Sequence, residues 1–352
     1  MDKKKRILFL YTEIPLYFIS CVRSLTRNFG AEVHIVQWPV NKEAPYLLNL
    51  PPGCKIYDRP DFDSNKLIRL VHDISPSLVY CAGWRDRTYV RVCRRIKGNV
   101  PVVIGIDNKW TGSLRQKMAT LASRFSIRKW FSYCWVPGSL QEKYARHLGF
   151  SDKRILRGLY SADTGLFNAF YNKAKTVKKK KFPRRFIYTG RYYNFKGITD
   201  LWHAFTELSE ENPNDWELWC IGTGSIKPLV HPKIKHFGFI QPGQMQEVIS
   251  STGVFVLPSR FEPWGVALHE FAAAGFPLLS SDEVGANECF LDNSVNGYIF
   301  KTGDRMDLKN KLSQMMAKTD NELLLMGEQS LKLSGTLNPD RWAKTLYSVL
   351  NS

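Results

Sequence analysis

Two acids stand on either side of one turn. Glu262 precedes Gly265 and Glu270 follows it, between an apolar strand at 254–257 and the small-residue run Phe271-Ala272-Ala273-Ala274, which Gly275 stops. Gly265 and Val266 therefore sit where a helix begins. A helix start presents unpaired N–H groups and a partial positive charge, which suit a phosphate. Glu262 lies before that helix and Glu270 on it. One acid can act at a reacting centre while the other accepts hydrogen bonds from hydroxyls. An amphipathic helix with two solvated acids is the other reading open at this point.

A second cluster gathers cations. A strand at 185–189 runs into Gly190-Arg191-Tyr192-Tyr193-Asn194-Phe195-Lys196-Gly197, and a helix follows over 198–210. Arg191, Lys196 and a helix start at one place make an anion site on charge grounds. The strand at 216–221 ends in Gly222-Thr223-Gly224, a turn that lets backbone approach a ligand. A strand at 234–237 is followed by Gly238-Phe239-Ile240. In the first half, Thr12-Glu13, Trp84-Arg85 and Asp107-Asn108 all close predicted strands. Asp107 is thus a candidate for a ligand cleft, or an N-cap for the segment after it.

These residues need elements to hold them. Apolar runs at 7–11, 32–38, 77–82, 100–106, 132–136 and 153–156 alternate with helical patterns, with a further short strand at 55–57. The same alternation restarts at 185. It predicts βαβ units and parallel sheets covered on both faces, with ligands beyond the carboxyl ends of the strands. The lysine-rich run at 172–181 lacks a core-forming pattern and reads as an exposed linker. The predicted organisation is a first domain over 1–168, a basic linker over 169–185, a second domain over 186–334, and a C-terminal helix over 335–352 that can return to the first domain.

The bulk numbers narrow the classes. At 352 residues the chain is long enough for two or three domains. The net charge of +18 is uneven: +15 over 1–168, +8 over 169–185 and −5 beyond. The basic front half asks for an anionic partner. No helix-turn-helix, RNP or zinc-finger pattern supports nucleic acid. The scattered cysteines, with no C-x-x-C pair, predict reduced thiols and no structural zinc. The basic start Met1-Asp2-Lys3-Lys4-Lys5-Arg6 precedes too short an apolar run for a secretory signal. No apolar stretch reaches the roughly 20 residues of a membrane span. Residues 113–131 interleave Leu114, Met118, Leu121, Phe125, Trp130 and Phe131 with Arg115, Lys117, Arg124, Arg128 and Lys129. That suits the surface of an anionic bilayer, or a helix packed on the sheet with a solvated basic face. Asp61-Phe62-Asp63 has the spacing of a metal motif but lies far from the other groups, and reads as a helix cap.

In their order and spacing these runs resemble the retaining family 4 glycosyltransferases. The resemblance rests on Gly190-Arg191, Lys196-Gly197, Gly222-Thr223-Gly224, Gly238-Phe239-Ile240, Glu262 to Glu270, Val284-Gly285-Ala286-Asn287-Glu288 and Asn296-Gly297. Tyr160 to Phe167 also resembles the segment that closes the family's first domain. It implies an α/β chain of the GT-B fold, two Rossmann-like, doubly wound parallel-sheet domains facing across a cleft. It implies that Arg191 and Lys196 grip the diphosphate of a nucleotide-sugar donor (a UDP-, GDP- or other nucleotide-diphosphate sugar), with Gly190 and Gly222 in the turns beside it. Glu270 would bind the ribose. Glu262, with the N–H groups near Gly265 and Val266, would hold the sugar and phosphate. Phe239 and Ile240 would meet the base.

The resemblance further implies transfer with retention, and neither cofactor nor bound metal. The first half departs from the family: Thr12-Glu13-Ile14-Pro15-Leu16 stands where many members carry a glycine-rich loop. Asp107 stands where many carry a histidine, and is the candidate to replace it. The expected function is transfer of a sugar to a glycan or glycolipid acceptor in cell-surface polysaccharide or lipopolysaccharide assembly. The expected location is the cytoplasm, peripheral on the inner membrane face. A nucleotide-sugar epimerase or hydrolase, or a non-catalytic sugar-nucleotide-binding protein, would use the same donor residues.

Overall fold

A computed structural model describes residues 4–39, 45 and 47–351. Met1-Asp2-Lys3 of the basic start lies outside the described residues. Two compact units divide the chain. The first contains the described residues up to Ser161 together with those from Pro339 on; the second runs from Ala162 to Asn338.

The first unit holds seven parallel strands: β1 (Arg6–Leu10), β2 (Glu32–Gln37), β3 (Cys54–Asp58), β4 (Leu78–Cys81), β5 (Val102–Gly105), β6 (Tyr133–Val136) and β7 (Ile155–Arg157). Their spatial order is β3-β2-β1-β4-β5-β6-β7. Such sheets have both faces covered, so strands buried on both sides read as continuous apolar runs rather than alternating ones. Ile7-Leu8-Phe9-Leu10 is fully buried. One face packs Phe9, Phe18, Tyr80 and Trp135. The other packs Leu8, Val79, Ile104 and Val136. Helix Pro339–Ser348 closes the first face: Trp342 lies 4.8 Å from Trp135, ring to ring, and its Nε1 donates to the Leu159 carbonyl at 2.8 Å. Asp63 caps helix Ser64–Ile74 by accepting from the N–H groups of Asn65 and Lys66, as the sequence predicted.

The second unit holds six parallel strands: β8 (Arg185–Thr189), β9 (Glu217–Ile221), β10 (Ile234–His236), β11 (Val254–Leu257), β12 (Leu278–Ser281) and β13 (Gly297–Phe300). Their order is β10-β9-β8-β11-β12-β13. The order reverses direction between β8 and β11. Such a switch point opens a crevice at the carboxyl ends of the strands.

The expected linker over 169–185 is not a linker. Helix Thr164–Lys180 occupies most of it, capped by the Asp163 carboxylate on Leu166 N–H. Phe167, Phe170, Ala174 and Lys178 are buried along its inner face. A long alkyl stem lets a lysine cover apolar surface, so a lysine run can hide a packed stripe. Lys178 does this, with its Nζ 3.6 Å from the centre of the Phe276 ring.

Candidate active site

The carboxyl ends of β8, β9 and β11 carry most of the candidate residues. After β8 the chain turns at Gly190, whose N–H donates to the Ile221 carbonyl at 3.0 Å. Gly222 lies so close that a Cβ on it would stand 2.0 Å from the Gly190 carbonyl oxygen. Its own N–H donates to the Gly238 carbonyl at 2.7 Å. Three glycine turns are thus laced together by backbone, and Gly222 at the centre has no room for a side chain. Phe239 and Ile240 follow as a half-buried loop after β10.

The loop after β8 then reaches toward β11. Gly197 has φ +65°, and a Cβ there would stand 1.9 Å from the Pro258 carbonyl oxygen. Both Arg260 N–H and Phe261 N–H donate to the Phe195 carbonyl, at 2.8 and 3.1 Å. Across this junction the Lys196 ammonium meets Glu262 Oε2 at 2.5 Å, and both side chains are largely buried. Ser259 Oγ donates to the same oxygen at 3.1 Å. Arg260 holds Asp200 with two bonds of 2.8 Å. Arg191, earlier in the same loop, is exposed, with its guanidinium over the Tyr193 ring.

Behind Glu262, the Gly285 N–H donates to the Glu262 carbonyl and the Ala286 N–H to the Trp264 carbonyl. Gly265 has φ +100° and starts helix Val266–Ala273. A Cβ on Gly265 would press on Val284 and Glu262 at 3.0 and 3.1 Å. So the helix start is placed against Glu262 by a residue that must be glycine. Glu270 lies on that helix. Burial first, then the charge of Asp163, pushes its carboxyl up to about 8. Desolvation and a like charge both disfavour an ionised acid.

Sequence reasoning missed His269. Its Nδ1 accepts from Ala162 N–H at 3.1 Å and its Nε2 donates to the Ser334 carbonyl at 3.0 Å. Its ring stacks on Phe290 at 3.9 Å, and burial pushes its pKa down to about 4. It is a neutral strut that ties the helix of Glu270 to both ends of the unit. Ser259 was missed as well; its position directly after Pro258 at a strand end was the available signal.

Asp107 belongs to the first unit, just past the carboxyl end of β5. It caps no helix: Ser113 caps Leu114–Ser123. Its Oδ2 accepts from Tyr160 Oη and its Oδ1 from Asn108 Nδ2, both at 3.2 Å. Burial, with the Asp107 charge adding to it, holds the phenols of Tyr11, Tyr80 and Tyr160 protonated.

Comparison with known proteins fits this geometry. Residues 183–318 match the family described as "Glycosyl transferases group 1". An uncharacterized glycosyltransferase of Methanocaldococcus jannaschii is 28% identical over 135 residues, 36% of this chain and 34% of that protein. The α-D-kanosaminyltransferase of Streptomyces kanamyceticus is 22% identical over 214 residues, 55% of this chain and 54% of that protein. The chain thus spans about a third to a half of the length of these curated relatives. The crystal structure of Anabaena HepE in complex with UDP and glucose superposes with a TM-score of 0.73 at 13% identity, over 99% of this chain and 100% of that one. The chain therefore has the GT-B fold of two parallel-sheet α/β units, and its residues 183–318 match the group 1 glycosyltransferase family.

Proposed function

We propose that this protein transfers a sugar from a nucleotide-diphosphate donor to a glycan acceptor, with retention of anomeric configuration and without a bound metal. The observation that carries the reading is the junction of Lys196 with Glu262 beside the helix start at Gly265. Breaking a glycosyl-phosphate bond builds negative charge on the departing diphosphate. Fixed cations and unpaired N–H groups aimed at that charge lower the barrier, because they need no rearrangement as it develops. Lys196 and Arg191 supply the cations. The N–H groups near Val266 supply the rest. Glu262, held by Lys196 and Ser259, faces the sugar, and Glu270 takes the ribose hydroxyls. Gly190 and Gly222 keep the backbone low beneath the diphosphate, and Phe239 and Ile240 meet the base.

The UDP and glucose in the HepE complex support a nucleotide-sugar donor on this fold. We assign the acceptor to a lipid-linked glycan of cell-surface polysaccharide or lipopolysaccharide assembly, at the cytoplasmic face of the inner membrane. The basic charge of the first half supports that choice. Among the described residues no helix is long and apolar enough to cross a membrane, so the contact is peripheral in this reading. Asp107 is assigned to the acceptor side. A thermal-shift screen of nucleoside diphosphates and their sugars tests the donor. A matching nucleotide raises the unfolding temperature by mass action, and the gain is lost in Lys196→Ala. No shift with any nucleotide contradicts the reading.

A further inference from the structure

No acidic residue occurs between Asp107 and Glu142, while six lysines and arginines do. Within this interval lie helices Leu114–Ser123 and Ile127–Trp130. Ser123 and Ile127 are buried and anchor them to the unit, and Ser123 Oγ donates to the Leu148 carbonyl at 2.7 Å. The large apolar side chains face outward instead. Leu114 is 75% exposed, Met118 61%, Leu121 75% and Phe125 64%. Spacings of four and three align Leu114, Met118 and Leu121 along one side of the first helix, and Phe125 follows in the turn after it. Arg115, Lys117, Arg124 and Lys129 are exposed around them, and Arg124 and Lys129 flank the Phe125 ring. Solvated helices do not carry such a stripe, because each exposed side chain of this size forgoes the gain of burial.

The stripe leads to a hollow of about 340 Å³ lined by Lys97, Arg128, Arg154 and the chain around Ser132 and Ser151. It lies where β5, β6 and β7 begin, at the opposite end of these strands from Asp107. Arg128 belongs to the second helix of the stripe. It is accommodated by Gly149, where a Cβ would stand 2.8 Å from Arg128 Cδ. Lys97 Nζ donates to the Arg128 carbonyl at 2.7 Å. No acid lines the hollow. Burial first, and then Arg128 and Arg154, push the Lys97 ammonium down. Three cations crowded without a counter-charge are relieved by an anion.

We propose that this face docks on an anionic phospholipid bilayer, with Leu114, Met118, Leu121 and Phe125 entering the acyl boundary and Lys97, Arg128 and Arg154 receiving a lipid phosphate. Aliphatic side chains ringed by cations match a headgroup layer over hydrocarbon. A nucleic acid would meet the cations but leave the stripe in water. The proposal deepens the reading of a lipid-linked acceptor and rests on it for its purpose.

Sedimentation of the full chain with vesicles tests it, without any sugar. We expect the protein to pellet with phosphatidylcholine vesicles containing phosphatidylglycerol, not with phosphatidylcholine alone, and to be released by high salt. Lys97→Gln with Arg128→Gln and Arg154→Gln lowers the vesicle affinity roughly a hundredfold. Leu121→Ser with Phe125→Ser, both at exposed positions, lowers it by roughly tenfold or more. An unchanged thermal unfolding temperature separates each effect from misfolding. Failure to bind the anionic vesicles, binding untouched by either set of substitutions, or retention on RNA in place of vesicles overturns the proposal. A nucleotide-induced thermal shift measured on the same samples keeps the two readings distinct. Lost vesicle binding with the shift intact sinks the docking alone, and the reverse result sinks the donor reading alone.

Discussion

Lys196 and Glu262 meet at 2.5 Å across two loops that leave different strands, β8 and β11. The contact sets the free-state charge of the site: the cation that would hold a diphosphate is already neutralised by the acid that would face the sugar. A largely buried pair loses more when one partner is removed than the pair itself contributes. The two substitutions therefore differ in outcome. Lys196→Ala lowers turnover roughly a hundredfold to a thousandfold and weakens nucleotide binding. Glu262→Gln lowers turnover while nucleotide binding holds or tightens, since Lys196 is released to the diphosphate. Titration calorimetry with the nucleoside diphosphate, beside initial rates, separates the two.

With Glu270 on the ribose, as proposed, donor binding depends on pH. The Glu270 carboxyl is pushed up to about 8 by burial and then by Asp163, and hydroxyls of a ribose donate best to the ionised form. Affinity therefore rises with pH, by at most about tenfold per unit below 8, and levels off above it. Glu270→Gln removes the slope. The same group affects stability with the opposite sign. Its folded-state pKa is raised above the unfolded value, so the stability it contributes is fully present below about 4.5 and is lost as pH rises through 8. Unfolding curves at pH 5 and pH 9 for protein and variant check that sign.

The helix that replaces the expected linker carries a buried lysine. Burial pushes Lys178 down to about 7, against an ordinary lysine near 10.4. Between those values the unfolded chain binds the proton and the folded chain does not, so stability rises with pH across that window. Lys178→Met keeps the stem against Phe276 and discards the charge. It raises the unfolding temperature at pH 7 by several degrees and flattens the rise between pH 7 and 10, as scanning calorimetry would record.

His269 is predicted to act as a strut and to take no part in proton transfer. Removing its ring breaks the bonds to the Ala162 N–H and the Ser334 carbonyl and empties a buried ring site. His269→Ala costs about 2–4 kcal/mol. With burial holding the histidine pKa down to about 4, its protonation contributes nothing to rate–pH profiles above pH 6. A rate step near pH 6.5 that disappears in the variant contradicts this.

Strands and turns were legible in the sequence for a physical reason. Parallel strands buried on both faces are uninterrupted apolar runs; Gly222 and Gly197 stand where backbone crosses backbone, and Gly190 and Gly265 where the chain turns against packed side chains. The helix over 164–180 was hidden because its inward positions end in Lys178, which composition counts as solvent-facing. Lys196 and Glu262 were each legible as charged residues after a strand. Their pairing was not, because it depends on Gly197 seating against the Pro258 carbonyl, 61 residues away in sequence. The raised carboxyl pKa of Glu270 was illegible for the same kind of reason: burial on folding and then Asp163, far along the chain, push it up. The basic stripe of 113–131 was legible as amphipathic, but not that Leu114, Met118, Leu121 and Phe125 face outward while Phe131 is buried.

The most direct measurement follows labelled sugar from nucleotide-diphosphate donors into a lipid extract of cell membranes, with wild type, Lys196→Ala and Arg191→Ala, in chelator. Wild type should move label into the lipid fraction with release of one nucleoside diphosphate per sugar, and both variants should lose roughly a hundredfold or more of the rate. Conversion of the donor to a free sugar or an epimer at the same rate without acceptor would contradict it, as would full transfer by Lys196→Ala.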